Sequence, residues 1–252
     1  MKTLIYDENT DKIGTLVLNS GSGNPLTPEL IKELDKKIEE IQKSPPKVLI
    51  LHGGDGKIFS GGFSLPHIFS WERKQMDDFF GEFTKALTRL ITLKCPTLSA
   101  VNGHAVAAGF ILTLGTDLRV LTKGKLKLGF TEVDIGVGVP YGTQVLFASR
   151  SNPQASLRYT MLGELFNPEV ASSIGYADFL AENATEKAME LANHILAKPG
   201  SGVSETKSFY AQKVAEDFKK AEAATRGNFL DSWFSPEAQK SIKSMAEKLS
   251  KK

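Results

Sequence analysis

The sequence predicts an α/β fold with a helical tail, and two observations carry that expectation. Short apolar or β-branched runs, each ending in glycine-rich or turn-forming residues, alternate with longer segments whose apolar residues recur at helical spacing. Strand and helix patterns that alternate in this way build layered α/β folds. After roughly Lys198-Pro199-Gly200 only helical patterns remain, which divides the chain into an expected core over 1–198 and a helical region over 199–252.

Ile13 to Asn19 reads as a strand that empties into the turn-rich Ser20-Gly21-Ser22-Gly23-Asn24-Pro25. Thr27 then offers an N-cap and Pro28 a first helical residue, with Leu30, Ile31, Leu34, Ile38 and Ile41 forming one apolar stripe. Val48 to Leu51 is a short buried strand leading into Gly53-Gly54-Asp55-Gly56-Lys57-Ile58-Phe59-Ser60-Gly61-Gly62, a candidate ligand loop. Met76, Phe79, Phe80, Phe83, Leu87, Leu90 and Ile91 mark an amphipathic helix. Thr97 to Val101 is a further strand, followed by a turn at Asn102-Gly103-His104 and small residues leading into a helix at Phe110-Ile111-Leu112. Asp117 to Leu121 returns as a strand, and from Tyr141 onward the pattern is mostly helical.

Composition narrows the function classes. The chain has 252 residues, of which 41% are hydrophobic and 24% charged, so a large core is available. Its 31 basic and 29 acidic residues leave a formal charge of +2, too weak a field to argue for nucleic acid. The single cysteine, Cys95, cannot form an internal disulfide and reads as a buried inert thiol. Acidic residues follow too soon after Met1 for a signal peptide, no stretch has the length of a membrane span, and Leu249-Ser250-Lys251-Lys252 is not a peroxisomal address. A soluble intracellular protein with no targeting signal is expected.

Several chemistries fail on spacing. Gly56-Lys57 lacks the glycine and the Ser or Thr of a phosphate loop, where Leu51 and Ile58 stand. No serine sits in a nucleophile elbow, and His52, His67, His104 and His194 show no metal-ligand spacing, so no metal is expected. His104 reads as a hydrogen-bonded structural residue.

Two strand ends deliver small residues, Ser60-Gly61-Gly62 and Ala107-Ala108-Gly109. Backbone amides from two such loops can converge on one oxygen and stabilise it as it becomes an anion. With Leu128-Gly129-Phe130-Thr131-Glu132-Val133-Asp134-Ile135-Gly136, these segments resemble, in order and separation, the three signatures of the crotonase (enoyl-CoA hydratase/isomerase) superfamily. The wording around Ala107 and Glu132 is closest to the Δ3,Δ2-enoyl-CoA isomerases of the plant peroxisomal type.

The resemblance implies a spiral of ββα units with a carboxy-terminal helical trimerisation region, assembled as trimers or hexamers, and an acyl-CoA thioester as substrate with no further cofactor. It places the oxyanion-hole amides on Phe63 and Ala108, although the family often has Ala where Phe63 stands and Asp where Ser64 stands. Contacts to the coenzyme thioester fall on Lys57, Ser60, Gly61, Phe63, Leu65, Ala108 and Lys207. Hydratases of the family use two glutamates; here Ile111 occupies the first position and Glu132 the second. One carboxylate suffices for a 1,3-proton shift, so the expected activity is that of an isomerase with Glu132 as base, surrounded by Phe63, Phe110, Ile111, Val137 and Val139. Asp134, expected on the same extended segment, is given a solvent or capping role. Other acyl-CoA lyase, hydratase or hydrolase chemistry, and a silent CoA-binding protein, remain as alternatives.

Overall fold

The computed structural model describes residues 3–250, so the terminal readings at Met1, Lys2, Lys251 and Lys252 lie outside the described residues. In chain order the strands are β1 (Leu4–Glu8), β2 (Ile13–Leu18), β3 (Val48–His52), β4 (Ile58–Ser60), β5 (Thr97–Val101), β6 (His104–Val106), β7 (Leu118–Thr122), β8 (Leu128–Gly129) and β9 (Phe179–Ala181). The helices are α1 (Pro28–Lys43), α2 (Leu65–Ile68), α3 (Arg73–Ile91), α4 (Ala108–Leu114), α5 (Tyr141–Arg150), α6 (Pro153–Leu162), α7 (Pro168–Ser173), α8 (Ala184–Leu196), α9 (Gly202–Trp233) and α10 (Pro236–Leu249), with a 3₁₀ turn at Val133–Ile135.

A six-stranded sheet runs β1-β2-β3-β5-β7-β9, antiparallel only at β1–β2, and a small parallel sheet runs β4-β6-β8. Successive strand pairs β3/β4, β5/β6 and β7/β8 therefore each send one strand to the large sheet and the next to the small one, then a helix. This repetition is the expected spiral of ββα units.

The pattern follows from burial. Val48 and Ile50 of β3 face one side with Leu98 and Val120, where Ala184, Ala188 and Ala192 of α8 lie one turn apart against the sheet. Leu49 and Leu51 face the other side, in the main core with Leu30, Leu34 and Ile38 of α1 and Phe83 and Leu87 of α3. Strands covered on both faces are apolar at most positions, which is why β3 reads as a continuous run. Thr27 Oγ1 accepts the Leu30 amide at 3.2 Å and fixes the start of α1 as expected. Cys95 is buried, and burial pushes its thiol up to about 11.

The strands of the small sheet and β9 have only two or three residues each, and the sequence had suggested turns at His104 and no strand at β9. His104 Nδ1 accepts the Lys127 amide at 2.9 Å. The long α9 lies against α5 and α3, and α10 folds back onto α2 and the 3₁₀ turn.

Candidate active site

The ends of the small sheet converge on one cavity of about 330 Å³. After β4, Gly61, Phe63 and Leu65 line it; after β6, Ala107, Ala108 and Ile111; after β8, Thr131, Glu132, Asp134, Ile135 and Val137. Phe80 of α3 and Pro140 add to the wall, and Phe229, Trp233, Met245 and Leu249 close it from the two last helices.

The turn after β4 is held from below. Asn24 is buried, and its Nδ2 donates to the Gly53 carbonyl at 2.7 Å and to the Phe59 carbonyl at 3.2 Å. Ser60 Oγ donates to the Asn24 carbonyl at 2.8 Å and accepts the Gly62 amide at 3.2 Å. Leu26 bridges Phe63, with its amide donating to the Gly62 carbonyl and its carbonyl accepting the Ser64 amide. These bonds employ the groups flanking Phe63 N–H, which itself donates to no protein acceptor among the described residues.

The turn after β6 reaches the same place by another route. Ala107, the residue before α4, has φ 49° and ψ −131°, a conformation that L residues other than glycine rarely adopt. Its amide donates to the Gly129 carbonyl at 2.9 Å, which anchors the turn to β8. Ala108 N–H then opens α4 as an amide without an intrahelical partner, and no other acceptor takes it among the described residues. Gly109 packs so tightly on Ser60 that an added Cβ would stand 2.4 Å from the Ser60 carbonyl oxygen. Two free amides thus border one apolar space.

Glu132 precedes the 3₁₀ turn in helical conformation, φ −61° and ψ −42°, and Gly136 ends the turn in the left-handed region. The Val137 amide donates to the Glu132 carbonyl at 3.0 Å, which ties the turn to the cavity wall. Its carboxyl pKa rises to about 7: burial drives it up, hydrogen bonds from its own and the Thr131 amides pull it down, and the nearby Asp134 charge adds to the rise. Glu132 keeps partial exposure because the surface it retains faces the cavity. A carboxyl that gains and loses a proton near neutrality, beside two free amides, can move a proton while an oxygen charges.

Residues 8–252 match the family described as Enoyl-CoA hydratase/isomerase. The chain belongs to that family. It is therefore an enzyme of the crotonase superfamily, with the spiral fold that the signatures implied. "Enoyl-CoA delta isomerase 3" of Arabidopsis thaliana is 28% identical over 200 residues, covering 74% of this chain and 82% of that protein. A "Putative enoyl-CoA hydratase" of Thermus thermophilus is 29% identical over 197 residues, covering 77% of this chain and 70% of that protein. The crystal structure of human mitochondrial delta3-delta2-enoyl-CoA isomerase superposes with a TM-score of 0.90 at 21% identity over 99% of both chains, a likeness of fold.

Of the residues that the crotonase signatures singled out, Gly61, Phe63, Leu65, Ala108, Ile111, Glu132 and Val137 line the cavity together. Ser60 lies beneath it and fixes the turn. Lys57 is exposed on the loop before β4, where its carbonyl accepts the His104 amide at 2.9 Å. Lys207 departs from expectation. Its ammonium is buried, ion-paired with Asp117 at 2.8 Å and bonded to the Cys95 carbonyl at 2.5 Å, so it props α9 on the core and lines no part of the cavity.

Three further corrections concern the surroundings of Glu132. Phe110 turns away from the cavity into a cluster with Phe130, Phe147, Phe166 and Tyr176, at centroid distances of 4.8–5.6 Å. Val139 is likewise outside the wall, whereas Asp134 is in it. Val133 to Ile135 form a 3₁₀ turn and not an extended segment, which places Asp134 at the exposed rim. Phe229, Trp233, Met245 and Leu249 escaped the sequence reading because each sits on a helical stripe that looks like ordinary core.

Proposed function

We propose that this enzyme is a Δ3,Δ2-enoyl-CoA isomerase that moves the double bond of a 3-enoyl-CoA by a 1,3-proton transfer through Glu132. The observation that carries this reading is Ile111, a hydrocarbon side chain in the cavity wall where the family's hydratases have their first glutamate. Glu132 takes a proton from C2, the Phe63 and Ala108 amides hold the oxygen of the dienolate, and the protonated carboxyl returns the proton to C4. The apolar wall keeps water from the intermediate and keeps the carboxyl basic. The relative in Arabidopsis thaliana named as a delta isomerase adds support.

Acyl-CoA is the substrate in this proposal, with no cofactor. The exposed Lys57 ammonium, just before the first amide segment, is assigned to the coenzyme's phosphates. Assembly as a trimer or hexamer belongs to the same proposal; the exposed Leu157, Met161 and Leu162 of α6 suit such burial, and equilibrium sedimentation tests it.

Hydration is a second reading, favoured by Asp134 as another carboxylate in the wall and by the hydratase name of the Thermus relative. Product analysis after incubation with 3-enoyl-CoA and 2-enoyl-CoA separates the two. Double-bond migration without water addition is expected; 3-hydroxyacyl-CoA as the main product would overturn the isomerase assignment.

A further inference from the structure

At the far end of α5 from the cavity lies a buried cation with no ion-pair partner among the described residues. Arg150 is 6% exposed, and its Nε donates to the Leu114 carbonyl at the end of α4 at 3.1 Å. Its Nη2 is buried and has no hydrogen-bond acceptor among the described residues. The Tyr210 ring covers the guanidinium at 5.4 Å, and the Tyr210 hydroxyl is fixed by donating to the Ser149 carbonyl at 2.7 Å.

The two carboxylates nearby are already committed. Asp178 accepts Arg119 Nη2 at 2.8 Å and the Arg119 amide at 2.7 Å. Asp117 accepts Lys207 at 2.8 Å and the Thr97 amide at 2.7 Å. Three cations therefore share two anions, and among the described residues Arg150 has no ion-pair partner. Burial, and then the like charge of Arg119, pull the Arg150 pKa below its ordinary value. The carbonyl ends of α4 and α5 offset part of this positive charge, but a guanidinium offers five donors and one is used within the protein.

Arg150 lines an open depression of about 590 Å³ together with Arg119, Asn152 and Tyr210, and with Asp117 and Asp178, the two carboxylates already held by Lys207 and Arg119. Asn152 Oδ1 caps α6 by accepting the Ala155 amide at 2.7 Å, which fixes the orientation of its side chain. Its Nδ2 has no protein acceptor among the described residues. We infer that this depression is a binding site for a small oxyanion, a phosphate monoester or a carboxylate, held by the Arg150 guanidinium and the Asn152 amide. It shares no lining residue with the catalytic cavity, and the ten residues of α5 put about 15 Å between Arg150 and the cavity end of that helix.

The test is calorimetric titration of the full chain with inorganic phosphate and with malonate at low ionic strength, alongside chloride at matched ionic strength. Saturable binding of either oxyanion is expected, and the stronger of the two identifies the source. Arg150→Gln should weaken it by about tenfold or more, Arg150→Lys by less, and Asn152→Ala by a few-fold, with turnover on acyl-CoA unchanged in all three. Unaltered binding in Arg150→Gln, or heat equal to that of chloride, overturns the inference. Should the Arg150 variants fail to fold, wild-type crystals soaked in tungstate decide the question. An anomalous peak within hydrogen-bonding reach of Arg150 supports the site, and none there overturns it.

Discussion

A Cβ placed on Gly62 would stand 3.2 Å from the Ala108 amide nitrogen and 3.0 Å from the Ala107 Cβ. Gly62 itself has φ +87°, so both its conformation and its space require the missing side chain. The two segments that supply the proposed oxyanion hole are thus in contact, and their separation is set by a glycine.

Gly62→Ala should push these segments apart by a few tenths of an ångström and tilt one amide off the oxygen. The expected loss is about 10–100-fold in kcat with a smaller change in KM, since the amides matter most as charge develops. Steady-state kinetics check this; a kcat within twofold of wild type would show that the amide spacing is not critical.

Glu132→Gln keeps the shape of the cavity and removes the proposed base. Isomerisation should fall by about 10³-fold or more while acyl-CoA still binds, as measured by turnover beside calorimetric titration. Retained activity would take the proton transfer away from Glu132.

The pH dependence follows from the raised carboxyl. A base with a pKa of about 7 is ionised above that value, so kcat/KM should be flat at high pH and fall tenfold per unit below about pH 7. A limb near the ordinary carboxylate value of 4.5 would contradict the burial of this group.

The same shift predicts a stability effect of defined sign. Folding raises the Glu132 pKa from 4.5 to about 7, so the folded protein binds the proton more tightly and loses stability as pH rises through that window. Glu132→Gln should therefore be more stable than wild type at pH 8, by at most about 3 kcal/mol, and gain nothing at pH 4. Denaturant melts at the two pH values measure the difference.

Ile111→Glu tests the hydrocarbon position directly. It puts a second carboxyl in the wall and should allow water addition to 2-enoyl-CoA, detected as 3-hydroxyacyl-CoA, at a stability cost of roughly 2–4 kcal/mol. Absence of hydration in a folded variant would mean that the α4 position alone does not separate the two chemistries.

Much of the fold was legible because the central strands are covered on both faces and the helices on one. Val48 to Leu51 is apolar throughout, Thr97 to Val101 is buried throughout with Leu98, Ala100 and Val101 as its apolar members, and the stripe from Leu30 to Ile41 has one helical period. The small sheet was not legible, since strands of two or three residues are too short to show alternation. In the site, glycine and alanine runs marked where backbone is exposed, and Glu132 followed from the same signatures. Side-chain direction was harder. One residue apart on α4, Phe110 enters the aromatic core and Ile111 the cavity, a division set by helix rotation and by Phe147 of α5 with Phe130, Phe166 and Tyr176 from the connecting segments. Lys207 was misread because its partner, Asp117, lies 90 positions earlier in the chain.

Phe229, Trp233, Met245 and Leu249 close a cavity whose proposed chemistry comes from residues 61 to 137. During synthesis the amino-terminal part emerges and folds first, so the proposed base and the two amides can be assembled while the wall opposite them is still unmade. A nascent chain is then a spiral with an open, wetted cleft, in which an enolate would meet bulk solvent. On the proposed mechanism, catalytic competence waits for α10 to fold back over the cleft.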